Sequence, residues 1–347
     1  MLRSVTPIAV FQRHIECLRA ELPGVRDGRL DSIHDARIAT RRIREVLPLT
    51  HEWQRRHQAD DLLSRFKQMG RSLGRVRDAD ARIDLLRYYE SRVPLAAPAL
   101  VVVRQREEKR RLRRARKLLK SFERLSMEDE LARLVARAPW KRSRVWVSYA
   151  GAWRGELCRL LTDRAIAARE AVIHATGVYF PNRAHEARIA IKKLRYSAEI
   201  ATQIGYGVAD SLIRDLKKTA DVLGDQHDRQ ALVDQLVSED GTEDSAHQEQ
   251  LRQVQQVLEA EIKALHARYL ERRGAVCAAA DRIVSDLERP LVPVGALAAA
   301  GVLAVAGAAI MRRRWSLERS RPGLGRPSDD ETDVSVRVAV PLLTRAR

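Results

Sequence analysis

The sequence predicts an all-α protein of two similar halves, and three observations carry that prediction. Aromatic residues are only 5% of the 347 residues, and apolar positions recur at spacings of three and four rather than alternating, the pattern of amphipathic helices. A block is then written twice: Ile33-His34-Asp35-Ala36-Arg37-Ile38-Ala39-Thr40-Arg41-Arg42-Ile43-Arg44 returns 151 residues later as Ala184-His185-Glu186-Ala187-Arg188-Ile189-Ala190-Ile191-Lys192-Lys193-Leu194-Arg195. Downstream, Leu73-Gly74-Arg75-Val76-Arg77-Asp78 is answered at an offset of 150 by Leu223-Gly224-Asp225-Gln226-His227-Asp228. Two blocks in the same order at nearly the same spacing indicate an internal duplication. Finally, Gly24, Gly28, Gly177, Gly205 and Gly241 fall between the periodic runs, where helices stop. Short links between such helices give two pseudo-symmetric antiparallel bundles packed together.

In order, the first half spans 7–137, with helical patterning over 8–21, 31–47, 60–73, 78–91 and 98–125. Pro48 ends or kinks the second of these, because proline offers no N–H and clashes with the preceding turn. Gly74 and Gly224 interrupt their runs at matching places, which predicts a tight turn at each. A link at Ala138-Pro139-Trp140 opens the second half, 138–273, with helices over 144–174, 183–204, 209–223, 228–238 and 246–273. After Arg273 the texture changes to an apolar, Ala-rich extension over 274–316. Its stretch 291–310 has no charge, eight alanines and three glycines. Twenty apolar residues match the thickness of a bilayer, so a membrane or granule-surface anchor stands beside an Ala-rich helix packed on the core or a semi-ordered tail. The last segment, 317–347, mixes Pro, Gly and acids and reads as disordered.

The formal charge is +18, and of 64 basic residues 54 are arginine. Genome composition accounts for much of the arginine preference, but not for the surplus of charge, which suits a polyanion. Arginine's planar fork matches phosphate oxygens. The three cysteines, Cys17, Cys158 and Cys277, show no metal or disulfide spacing, which fits a reducing compartment. The apolar patch after Val5 is too short for a secretory core, so the start reads as that of a mature cytoplasmic protein.

At about 100° per residue, His34, Arg37, Arg41 and Arg44 share one quadrant of their helix, opposite Ala39, Ile43 and Val46. His185, Arg188, Lys192 and Arg195 repeat the arrangement opposite Ala190 and Leu194, with Arg42 and Lys193 at the flanks. Arg37 and Arg41 stand one turn apart with only Glu45 to offset them, and the second copy has Tyr196 at the place of Glu45. Such a row repels itself unless an anion lies over it, whereas a merely solvated basic face would interleave acids. The histidines add charge if an anion favours their protonated form. Lys67 and Lys217 recur 150 apart. Ten bases against two acids between Arg104 and Lys120 either line the same channel or form a solvated helix with i,i+4 pairs. Asp78 and Asp228 read as helix caps or as orienting partners for arginines.

Catalytic readings fare poorly. His227-Asp228 resembles a metal-binding pair, but its counterpart in the first half begins with Arg77, which cannot ligate a metal. Gly70-Arg71-Ser72-Leu73-Gly74 spells a nucleophile elbow but closes a helical run without the strand that motif needs. No catalytic residue, metal site or cofactor is therefore assigned.

The paired His-x-x-Arg helices, each followed about forty residues on by Leu-Gly and then Asp, resemble the CHAD domain, the conserved histidine α-helical domain, over 7–273. The resemblance implies two four-helix bundles with a basic central groove or pore. It also implies non-catalytic binding of inorganic polyphosphate, often at cytoplasmic polyphosphate granules, through His34, Arg37, Arg41, Arg42, Arg44, His185, Arg188, Lys192, Lys193 and Arg195, with Lys67 and Lys217 as further bases. Glu259-Ala260-Glu261-Ile262-Lys263 matches the ExExK of a triphosphatase domain fused to some relatives, but it sits in a helical run with no strands after it. The alternatives are a nucleic-acid-binding helical protein and a membrane or granule adaptor acting through 291–310.

Overall fold

The computed structural model describes residues 6–50, 56–136, 152–239 and 245–288. They form α1 (Pro7–Arg26), α2 (Leu30–Val46), a 3-10 turn (Leu47–Thr50), α3 (Arg56–Arg92), a second 3-10 turn (Pro94–Ala96), α4 (Ala97–Arg124), α5 (Met127–Ala136), α6 (Ala152–His174), α7 (Pro181–Ile204), α8 (Asp210–Glu239) and α9 (Ser245–Glu288). There is no strand among the described residues, and the all-α expectation holds. Met1–Arg289 makes one compact unit; the candidate anchor 291–310 and the tail 317–347 lie outside the described residues. Among those residues no helix is long and apolar enough to cross a membrane.

Each boundary has a local cause. Thr6 caps α1, its Oγ1 accepting from the Ala9 N–H at 3.3 Å, and Pro7 occupies the first turn, where a missing N–H costs nothing. Pro48 does end α2, and the chain tightens there into a 3-10 turn. Gly28, Gly177 and Gly205 hold left-handed φ of 74°, 94° and 95°, as helix stops require. Gly24 does not stop α1: a Cβ there would overlap Ser32, so its role is close approach between α1 and α2.

Three sequence expectations are corrected. α3 runs unbroken through Gly74, and α8 through Gly224, so neither glycine marks a turn. The second half does not end at Arg273, since α9 continues to Glu288 and buries Val276, Ala279, Ala280 and Ile283. The predicted break reflected a run of alanines, which pack as well as larger residues where helices approach closely.

α1 packs on α2, α2 on α3 and α3 on α4, with α5 bridging α1 and α4. α6, α7, α8 and α9 follow the same sequence of neighbours, and α9 returns onto α6. The two sets meet where α2 lies against α7, where α6 packs on the first 3-10 turn and α9 on the second, and where α3 meets α8. The core divides in two. One apolar cluster reaches Val76 on α3 and Leu223 on α8; the other begins at Leu86 on α3 and Leu232 on α8, and joins the far ends of the α3–α4 and α8–α9 hairpins. Between the clusters both helices carry polar residues, among them Arg77 and Asp78 on α3 and His227 and Asp228 on α8.

Candidate anion-binding site

The apolar backs of both helices are turned inward: Ala39, Ile43 and Val46 are buried on α2 and Leu194 on α7, while Ala190 is half-buried and Ala187 and Ile191 complete the buried stripe of α7. Burying these stripes turns the cationic fronts toward one another across the contact between the helices. Tyr196 is buried at that contact. Its hydroxyl accepts from Arg41 Nη1 at 3.0 Å, and the Arg195 guanidinium lies 4.7 Å from its ring centre, a favourable cation–π distance. A neutral ring thus holds two arginines in place without cancelling their charge. Glu199 is the acid nearby, 3.5 Å from Arg42 and 3.4 Å from Arg195.

The repeated glycines serve this site. A Cβ on Gly74 would stand 3.6 Å from the Arg37 guanidinium carbon, and one on Gly224 would stand 3.6 Å from Arg188 Nε. Each glycine opens a recess in its helix into which an arginine of the neighbouring helix settles. Arg37 then donates to Asp78 Oδ1 at 2.7 Å, so Asp78 orients an arginine and, lying inside α3, is no cap. Asp228 lies inside α8 and faces Arg188 and Lys192; burial raises its pKa and those two cations oppose the rise.

Cations accumulate beyond what these acids neutralise. Burial first, and then Arg188, Arg41, Arg195 and Arg37, lower the pKa of Lys192 to about 7. Burial likewise lowers Arg188, with Asp228 acting against it and Arg41 and Arg37 adding to it. Four arginines around one ammonium destabilise the charged state when no anion is present. Arg188 Nε, Arg44 Nε and His185 Nδ1 are buried without a hydrogen-bond partner, which is costly unless a ligand satisfies them. His185 stacks on His227 with ring centres 4.4 Å apart. Both histidines are held below their ordinary pKa, His227 at about 4, by burial first and then by Arg188.

Of the predicted residues, Arg37, Arg41, Arg188, Lys192 and Arg195 converge, and His185 joins them through His227. Arg42 turns to Glu199 at the flank. Arg44 lies against Gly70 with Glu45, Arg41, Arg71 and Arg164 as charged neighbours. His34 is exposed, as is Lys193, so the two histidines of the repeat are not equivalent. Lys67 and Lys217 are exposed on α3 and α8, and no hydrogen bond or ion pair among the described residues joins them to the cluster. Glu45 does not offset Arg37 and Arg41. It is buried and turned toward Ser197, at 3.2 Å, and Arg164 of α6, at 3.6 Å. On α4, Arg104, Arg106, Arg111 and Arg114 bind Glu90, Glu239, Asp80 and Glu107 at 2.6–2.9 Å, so the charge of these four arginines is spent on acids. Sequence reasoning missed His227 and the anchoring role of Tyr196. The place of His227, one residue before the repeated Asp228, was the available signal.

The model of the CHAD domain matches residues 9–237 of the chain. No curated protein sequence matches it. Among solved structures, PptA from Streptomyces chartreusis is similar in fold, with a TM-score of 0.55 and 17% identity over 80% of this chain and 97% of that one. The crystal structure of the CHAD domain from the plant Ricinus communis gives a TM-score of 0.46 and 19% identity, over 82% of this chain and 90% of that one. With a family match across most of the described helices, and the paired His-x-x-Arg helices facing each other, the chain belongs to the CHAD domain family.

Proposed function

We propose that the chain binds inorganic polyphosphate without turning it over, holding one stretch of the linear phosphate chain against the facing cations of α2 and α7. The observation that carries this is the crowding of Lys192 by Arg37, Arg41, Arg188 and Arg195. That arrangement is unfavourable when empty and favourable around closely spaced negative charges. Membership of the CHAD family, linked to polyphosphate by the resemblance noted above, supports the same ligand. The non-catalytic assignment rests on the surroundings of His227 and Asp228: Arg188 and Lys192 stand beside both and would repel a catalytic metal ion.

Nucleic acid is the alternative polyanion. Single-strand binders stack bases on accessible rings, whereas Tyr196 is buried and engaged by Arg41 and Arg195. Displacement of labelled polyphosphate by single- or double-stranded DNA at equal charge concentration distinguishes the two; efficient displacement contradicts the assignment. The Arg41→Gln/Arg188→Gln chain should bind polyphosphate about a hundredfold or more weakly, from the scale of two lost charge-assisted hydrogen bonds, with unchanged helicity. A cytoplasmic location at polyphosphate granules, and attachment of 291–310 to a membrane or granule surface, follow as expectations. They are checked by localising the full chain and a chain ending at Arg289 in cells with and without polyphosphate.

A further inference from the structure

Between α3 and α4 lies a cavity of about 380 Å³ lined by five cations, Arg71, Arg75, Arg114, Lys117 and Arg124, and by no carboxylate. Its floor includes buried Leu118 and the hydroxyls of Ser72 and Ser121, 3.5 Å apart. Upstream on α4 the fold supplies an acid for arginine after arginine. Here Arg114 is held by Glu107 at 2.6 Å, while Arg71, Arg75, Lys117 and Arg124 are exposed and pair with no acid among the described residues. Four uncompensated cations around one concavity repel one another, and the volume lies within the range of ligand sites.

The cavity is also connected to the α2–α7 cluster by charge. Arg44 of α2 has both Arg41 of the cluster and Arg71 of the cavity among its charged neighbours, and it reaches toward α3 over Gly70, where a Cβ would stand 3.3 Å from its Nη1. Cations therefore run in succession from Arg41 through Arg44 and Arg71 into the α3–α4 groove. No ring lines the groove, so it offers a base nothing to stack on; guanidinium, ammonium and hydroxyl donors suit phosphoryl oxygens.

We propose that the α3–α4 groove is a second anion subsite, occupied by the continuation of the same linear phosphate chain held between α2 and α7. This rests on the polyphosphate assignment above. Two linked subsites make affinity depend on chain length, because binding in the first raises the local concentration of phosphate at the second. Short chains fill the α2–α7 cluster alone.

The test measures binding of tripolyphosphate and of long-chain polyphosphate to the full chain, to Arg75→Glu/Lys117→Glu, and to a control of equal charge change on α9, Arg252→Glu/Arg282→Glu. All four substituted side chains are exposed, and circular dichroism checks that each variant folds. The groove variant should lose about tenfold or more in long-chain affinity, the scale of lost charge-assisted contacts, and roughly twofold or less for tripolyphosphate, with the control near wild type for both. Equal losses for the two ligands, no loss for either, or a control that matches the groove variant would overturn the second subsite while leaving the α2–α7 assignment standing. Failure of the wild type to bind either ligand removes that assignment itself.

Discussion

Lys192 is the residue at which charge, burial and ligand meet. Its pKa of about 7 lies below the value it has in the unfolded chain, so the unfolded state holds the proton more tightly. Below about pH 7 both states are protonated and the full cost of the buried charge is present. As pH rises from about 7 toward 10.5 the folded chain sheds the proton first and stability increases. A bound anion has the opposite effect, because it favours the ammonium form. Polyphosphate affinity should therefore rise as pH falls toward 7 and level off below it, a profile that calorimetry across pH checks. Lys192→Arg should keep binding and flatten that profile, since arginine stays charged. The sequence suggested that the histidines would add pH-dependent charge, but burial beside Arg188 moves His227 to about 4 and lowers His185 as well. The cationic residues were legible from their helical spacing. Their neighbours were not, because His227 reaches the site only through the packing of α8 beside α7, and Tyr196 meets Arg41 only through the packing of α2 on α7.

The helices show where local reading succeeds and fails. Pro48 and the left-handed glycines act where their backbone chemistry says they should. Gly74 and Gly224 were misread because a mid-helix glycine costs about 1 kcal/mol relative to alanine, so an interruption of the pattern suggests a turn until the arginine occupying the recess is known. A methyl group at 3.6 Å is an ordinary contact. Gly74→Ala and Gly224→Ala should therefore raise stability by roughly 0.5–1 kcal/mol in denaturant titrations with binding retained. Gly224→Leu should instead displace Arg188 and weaken binding about tenfold, from the loss of a charge-assisted contact. The far end of α9 was missed for a related reason: its apolar face is largely alanine, whose burial shows only once α6 and α9 are packed together. Ending the chain at Arg273 removes buried Val276, Ala279, Ala280 and Ile283 and should lower the melting temperature by several degrees, on the scale of lost core packing. Ending it at Arg289 should leave polyphosphate affinity unchanged.

At the scale of the molecule, two apolar clusters hold the helices while the polar residues between them, together with the fronts of α2 and α7, concentrate charge. The five converging cations, Arg37, Arg41, Arg188, Lys192 and Arg195, make the account electrostatic, so log affinity should fall with log salt. The slope should be roughly −3.5 at about 0.7 per neutralised phosphate, and steeper for long chains if the α3–α4 groove is filled as well. Helical periodicity and a charge surplus were enough to indicate a positively charged, all-helical molecule. Which cations the fold neutralises was beyond them, since Glu239 and Asp80 meet their arginines only through the packing of separate helices. The most direct measurement is the polyphosphate affinity of Lys192→Met, taken beside its thermal stability without ligand. A cation kept for a ligand rather than for the fold should leave on substitution a protein more stable by about 1 kcal/mol, the scale of relieving a charge conflict, that binds polyphosphate about tenfold or more weakly. A variant that binds as tightly as the wild type, or that is destabilised by losing the charge, would contradict the claim that α2 and α7 form an anion clamp.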